Sequence, residues 1–190
     1  MTLFIKFDFN RVCKVILEEI LAVQGLDYKI LGFSEVQLSE NVSTDQLESF
    51  RTSLTKYGID IVENQKSITV QKIKDTIIDM VYNDELDINI KSSAYIAHKV
   101  GQSYGYLSNL FSEVTYTSIE NFIILQKIEY TKHLIINQGL TLTEIAFKLD
   151  YSSVAHLSTQ FKNTTGITPS AFQKIIAKRR ELNINNLNQK

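Results

Sequence analysis

The chain has 190 residues, a single cysteine, three histidines and a formal net charge of −1. Its length suits one large domain or two small ones, each able to bury a core. No apolar run nears the roughly 20 residues of a membrane span, one thiol forms no internal disulfide, and the start MTLFIKFDFN lacks a secretory signal's basic region and cleavage site. No membrane partner and no cofactor are indicated, and a cytoplasmic location is expected.

The first 65 residues alternate between strand-like and helix-like patterns. Thr2 to Asp8 is short and apolar, and Arg11 to Gln24 places Val12, Val15, Ile16, Ile20 and Val23 at helical spacing before Gly25 stops it. Tyr28 to Phe33 and Glu35 to Ser39 read as an antiparallel strand pair. A helix opened by Ser43 or Thr44 carries Leu47, Phe50, Leu54 and Tyr57, Gly58 ends it, and Ile59 to Glu63 closes the unit as a strand. The order β-α-β-β-α-β predicts an α+β, ferredoxin-like domain over residues 1–66. Ser67 to Asn83 reads as a helix, which makes residues 67–86 a connector, with acidic Asp84, Glu85 and Asp87 at the boundary.

Residues 87–190 read as helices only. The charge also changes sign along the chain: residues 1–87 hold nine Lys/Arg against fifteen Asp/Glu, whereas residues 88–190 hold eleven against six. A basic half joined to an acidic half is the balance expected of a nucleic-acid-binding module fused to one that does not bind it, because phosphate contacts dominate affinity for a duplex. Within the basic half lies an internal repeat. Ile96-Ala97-His98-Lys99-Val100 recurs as Ile145-Ala146-Phe147-Lys148-Leu149, and each copy continues through a turn and a serine, Ser103 or Ser152, to Leu107 with Phe111 or Leu157 with Phe161. The second copy has one extra residue between serine and leucine.

Each copy predicts two helices crossing steeply, with the small alanine at the crossing. Gly101 suits a turn of positive φ, and Asp150 stands at the matching place. Ser103 and Ser152 are expected to cap the second helices, which Leu and Phe at i, i+4 anchor by one face. His98 is expected to be partly buried and His133 exposed, while His156 on the second recognition helix is a weaker candidate for backbone contact.

The run Leu142-Thr143-Glu144-Ile145-Ala146-Phe147-Lys148-Leu149-Asp150-Tyr151-Ser152-Ser153, followed by His156-Leu157-Ser158, Phe161-Lys162 and Thr165-Gly166-Ile167-Thr168-Pro169-Ser170, closely resembles the signature of the AraC/XylS family of bacterial transcription regulators. The resemblance covers about 100 residues, with Asp150 in place of the usual glycine and Tyr116 where the first copy would repeat Gly166. It implies an all-α domain over 87–190, with two helix-turn-helix units joined by a long helix, Ser118 to Gln138. It also implies double-stranded DNA as the partner. At about 1.5 Å per residue that helix spans roughly 30 Å, close to the separation of successive major grooves on one face of DNA, so one chain could fill two of them. By resemblance the base-reading positions are Tyr104, Gly105, Ser108 and Asn109 in the first copy and Val154, Ala155, Ser158 and Thr159 in the second. Neither set holds arginine, so Asn109 to adenine and apolar contacts to thymine methyls are the expected readout. Phosphate contacts are expected from Ser103, Ser152, Lys162, Lys174, Lys178, Arg179 and Arg180.

The N-terminal layout resembles a degenerate heavy-metal-associated domain. The metal loop of that family would fall on Phe7-Asp8-Phe9-Asn10-Arg11-Val12, with Phe9 and Val12 in the thiolate places and Cys13 one position late, so no metal ligand is assigned. Cys13 reads as a small hydrophobe. The sheet face is expected to hold a second copy or another protein, and RNA polymerase is a further partner. The alternative function is a metal- or redox-responsive regulator in which this domain gates DNA binding. No P-loop, nucleophile elbow or zinc motif indicates an enzyme.

Overall fold

The computed structural model describes residues 3, 5, 9–32, 34–83 and 91–187, and the side chains of these except at 9, 10 and 180–187. The chain divides into two compact units, 1–75 and 76–190.

The first unit is built on helix α1 (Phe9–Val23), strands β1 (Tyr28–Ile30) and β2 (Val36–Leu38), helix α2 (Thr44–Thr55) and the start of helix α3 (Gln65–Tyr82). The strands pair antiparallel with Tyr28 opposite Leu38 and Ile30 opposite Val36. Of the two expected caps it is Ser43 that closes α2, in a capping box with Gln46. Ile20, Leu21, Leu26, Phe50 and Leu54 form the core, and Leu47 and Tyr57, expected on the same face of α2, are exposed.

The ferredoxin-like arrangement is not what the described residues form. Their sheet has two strands only. Ile59 to Glu63, expected as the closing strand, is irregular. The reason lies at the end of α2, where the Gly58 amide bonds the Thr55 carbonyl at 3.0 Å and the Ile59 amide bonds that of Leu54 at 3.1 Å. This is a Schellman closure around a glycine at φ 70°. It consumes the first amide a strand would need, and Ile59 and Ile61 pack on the core from coil instead. The first expected strand, Thr2 to Asp8, lies outside the described residues apart from Leu3 and Ile5, which are not in a strand and are exposed.

In the second unit α3 is followed by α4 (Ser92–Val100), α5 (Tyr104–Thr115), α6 (Ile119–Asn137), α7 (Leu142–Lys148), α8 (Val154–Thr165) and α9 (Pro169–Leu187). The core includes the apolar faces the repeat predicts, Ile96, Leu107 and Phe111 from the first copy and Ile145, Leu157 and Phe161 from the second, joined by Ile119, Ile128 and Leu134 from α6, all fully buried. The tilted ring pair Phe111–Phe122 at 5.6 Å in the first copy recurs as Phe161–Phe172 at 5.7 Å in the second. Ala146 is buried at its crossing, whereas Ala97 is half-buried. His98 is exposed rather than packed, because it lies in the last turn of α4 on the side away from Ile96; His133 is exposed as expected.

Candidate nucleic-acid interface

The two copies share one framework. Helix α4 ends at Gly101 with φ 75°, and α7 ends in a Schellman closure around Asp150 with φ 52°, the Tyr151 amide bonding the Ala146 carbonyl at 2.8 Å. An aspartate in the left-handed region is tolerated there. A cation faces this turn: the Lys127 ammonium from α6 donates to the Leu149 carbonyl at 2.6 Å and lies over the Tyr151 ring at 5.2 Å. Burial lowers the Lys127 pKa, and the Asp150 carboxylate opposes that shift. The Tyr151 hydroxyl is buried with no hydrogen-bond partner among the described residues, and burial pushes its pKa up to about 12.

The cap of the second recognition helix differs from expectation. Ser103 caps α5 by accepting from the Tyr106 amide, but α8 is capped by Ser153, which accepts from the His156 amide at 3.1 Å. Ser153 lies four residues before Leu157, as Ser103 lies four before Leu107, so the extra residue of the second copy falls in the turn. Ser152 instead places its hydroxyl 3.1 Å from Nδ1 of His156, whose ring meets Tyr151 edge-on. From the caps onward the copies keep a constant offset, and α5 and α8 match residue for residue.

Along α5 the structure exposes Gly105 and Asn109 and leaves Tyr104 and Ser108 half-buried; along α8 it exposes Ala155 and Thr159 and leaves Val154 and Ser158 half-buried. The eight expected reading positions thus form one accessible strip per helix. Thr159 donates its hydroxyl to the Ala155 carbonyl at 2.9 Å, so its proton is already engaged within the helix. Sequence reasoning omitted Tyr106 in α5, which is exposed, and gave its exposed counterpart His156 in α8 no reading role. The i, i+3 spacing from the capping serines was the available signal. Lys162, in the last turn of α8, and Lys174, Lys178 and Arg179, along α9, are exposed, whereas the side chain of Arg180 lies outside the described residues.

The recognition helices are not electrically alike. Helix α5 holds one acid, Glu113, and no lysine or arginine, while α8 holds Lys162 and no acid. Tyr104, the first residue of α5, donates its hydroxyl to Glu120 Oε1 in the first turn of α6 at 2.5 Å. That bond, followed by one from the Glu120 backbone amide, holds the Glu120 carboxyl below the usual range against the opposing effect of burial, with a smaller contribution from Ser118.

Cys13 is half-buried in α1. Among the described residues no group of three or more His, Cys, Asp or Glu side chains is placed to hold a metal, and no helix is long and apolar enough to cross a membrane.

Residues 96–175 match the family model described as a helix-turn-helix domain. The chain is 30% identical over 158 residues to the Msm operon regulatory protein of Streptococcus mutans, covering 83% of this chain and 49% of that one. It is 33% identical over 88 residues to an HTH-type transcriptional regulator from the cgkA 5′ region of Pseudoalteromonas carrageenovora, covering 46% of this chain and 50% of that one. The chain thus spans about half the length of the curated relatives it matches. Among solved structures it is similar to the C-terminal domain of AraT, a response regulator from Geobacillus stearothermophilus, with TM-score 0.49 and 20% identity over 59% of this chain and 88% of that one. A DNA-binding transcriptional dual regulator from Escherichia coli K-12 gives TM-score 0.48 and 22% identity over 56% and 93%. The match over residues 96–175, together with the constant register of the two copies, shows that the C-terminal half carries a helix-turn-helix domain.

Proposed function

We propose that the protein is a sequence-specific DNA-binding transcription regulator in which α5 and α8 enter two successive major grooves. The observation that carries this reading is the duplicated helix-turn-helix held on one continuous helix. Both recognition helices are anchored by a buried Leu and Phe and present an accessible strip on the other side. Helix α6, at 19 residues, is about 28 Å long at 1.5 Å per residue, which suits a groove spacing of about 34 Å once side chains reach outward. The names of the curated relatives, both regulators, agree with it.

In this reading Tyr104, Gly105, Ser108 and Asn109 meet one groove and Val154, Ala155, Ser158 and Thr159 the next. Ser103, Ser152, Lys162, Lys174, Lys178, Arg179 and Arg180 meet phosphates and fix the register. The regulator acts where the bacterial chromosome lies, in the cytoplasm. RNA polymerase is its further partner, and the first unit holds a second copy or another protein. Hydroxyl-radical footprinting on a selected site tests the two-groove geometry. One chain should protect two patches on one face, about one helical turn of 10 base pairs apart. A single continuous patch on one groove would refute it.

A further inference from the structure

We propose that Tyr104 and Glu120 act together as a specificity element of the first recognition helix, showing DNA only hydrogen-bond acceptors and so selecting adenine or cytosine at the base pair they meet. The inference rests on the DNA-binding reading above and goes beyond it in naming the base chemistry.

Tyr104 opens α5, and its hydroxyl carries a single proton. That proton is committed to Glu120 Oε1 at 2.5 Å, within the range of short, charge-assisted O–H···O⁻ bonds. Glu120 is exposed in the first turn of α6, where Ser118 caps the helix and accepts from the Asn121 amide. Burial, then the bond to Glu120 and its charge, raise the Tyr104 phenol pKa, so the phenol stays protonated, while the Glu120 carboxyl, shifted downward, stays ionised. What the pair can still offer a ligand is therefore lone pairs on the phenol oxygen and the carboxylate, and negative charge.

Phosphate oxygens, guanine O6 and N7 and thymine O4 are all acceptors, and an acceptor-only group cannot bond them. Adenine N6 and cytosine N4 are the major-groove donors, and a carboxylate accepting from cytosine N4 is an established pairing type. The same charge repels a phosphate, so Tyr104 is a base-facing residue rather than a backbone anchor. Glu120 is a positioning residue as well as an acceptor, because it fixes where the phenol oxygen lies. The device is confined to the first copy. By the register of the repeat, Val154 and Ser170 occupy the places of Tyr104 and Glu120 in the second copy, which therefore has neither the phenol donor nor the carboxylate.

The test is selection from a randomised duplex pool with the full chain, its Glu120→Gln variant and its Tyr104→Phe variant, followed by competition binding on the enriched sites. The wild-type chain should enrich a site with adenine or cytosine at one position of one half. Glu120→Gln, whose amide can donate, should lose about fivefold or more of that preference and leave the other half unchanged, a scale set by the 1–3 kcal/mol of a good base contact. Tyr104→Phe, which removes one acceptor and frees the carboxylate, should weaken the same preference by a smaller factor. Thermal melting confirms that each variant is folded, and if one is not, the other decides. Variants that enrich the wild-type site unchanged overturn the inference alone, whereas a wild-type chain that enriches no sequence overturns the DNA-binding reading and this inference with it.

Discussion

Replacing Phe161 by alanine tests whether the second recognition helix is held as described. The side chain is fully buried, packs on Phe172 with ring centroids 5.7 Å apart, and sits at the end of the Leu157–Phe161 pair that anchors α8. Truncating a buried phenylalanine costs about 3–5 kcal/mol, through lost burial and the cavity left behind, and the aromatic pair adds to the upper end of that range. A domain of this size has only about 5–15 kcal/mol in total, so the loss is a large share of its stability. Phe147, in the first helix of the same copy, is the control. It is 85% exposed, so Phe147→Ala should change stability by no more than about 0.5 kcal/mol. Urea unfolding followed by circular dichroism measures both, the shift in midpoint at constant slope giving the difference. A cost below about 1 kcal/mol for Phe161→Ala, or equal costs for the two, would refute the packing described.

Two further outcomes are expected. Ser153→Ala should destabilise the second unit by about 1 kcal/mol, and Ser152→Ala by clearly less, because only the former removes the acceptor for the His156 amide. The same urea titration distinguishes them, and the reverse order would restore Ser152 as the cap. Asn109→Ala should cost about 1–3 kcal/mol on a selected site and little on scrambled DNA, while Lys162→Ala should weaken both alike and lower the salt slope by about one. Fluorescence anisotropy across a salt series checks this pair, and equal losses on both DNAs for Asn109→Ala would remove its reading role.

The C-terminal half was legible because its signals are local and repeated. Ile-Ala at the crossing, a serine at the turn and Leu-x-x-x-Phe in the next helix each follow from one packing demand, and finding them twice fixed the register. The details that escaped involve neighbours too close or too distant for pattern to separate. Ser152 and Ser153 are adjacent and chemically equal, so matching the serine to the preceding repeat rather than to the Leu four residues on picks the wrong one, and the structure puts Ser153 against the free amides of α8. Ile59 and Ile61 alternate as a strand does, yet the same alternation serves coil lying on a core once Gly58 has closed α2. Tyr104 and Glu120 lie in different helices, 16 residues apart, with no periodicity to link them. Lys127 and the Leu149 carbonyl are 22 apart and equally silent.

The Lys127 contact bears on how two readers could act as one. Helix α6 runs unbroken from its Ser118 cap to Gln138 and packs against α5 near its start and against α8. At the first end the Tyr104–Glu120 bond ties the opening residue of α5 to the first turn of α6. At the second, Lys127 ties α6 to the carbonyl of Leu149, the residue that caps the end of α7, and to Tyr151, just before the turn that launches α8. Helices α5 and α8 are therefore each joined to α6 at the N-terminal approach, the end that would meet base edges in the proposed reading. The separation of α5 and α8 then follows from the length of one helix. If α5 and α8 fill two grooves as proposed, a site whose halves are moved apart by a fraction of a turn is not met by adjusting a loop, and the cost of such a change falls on α6 and its two ties.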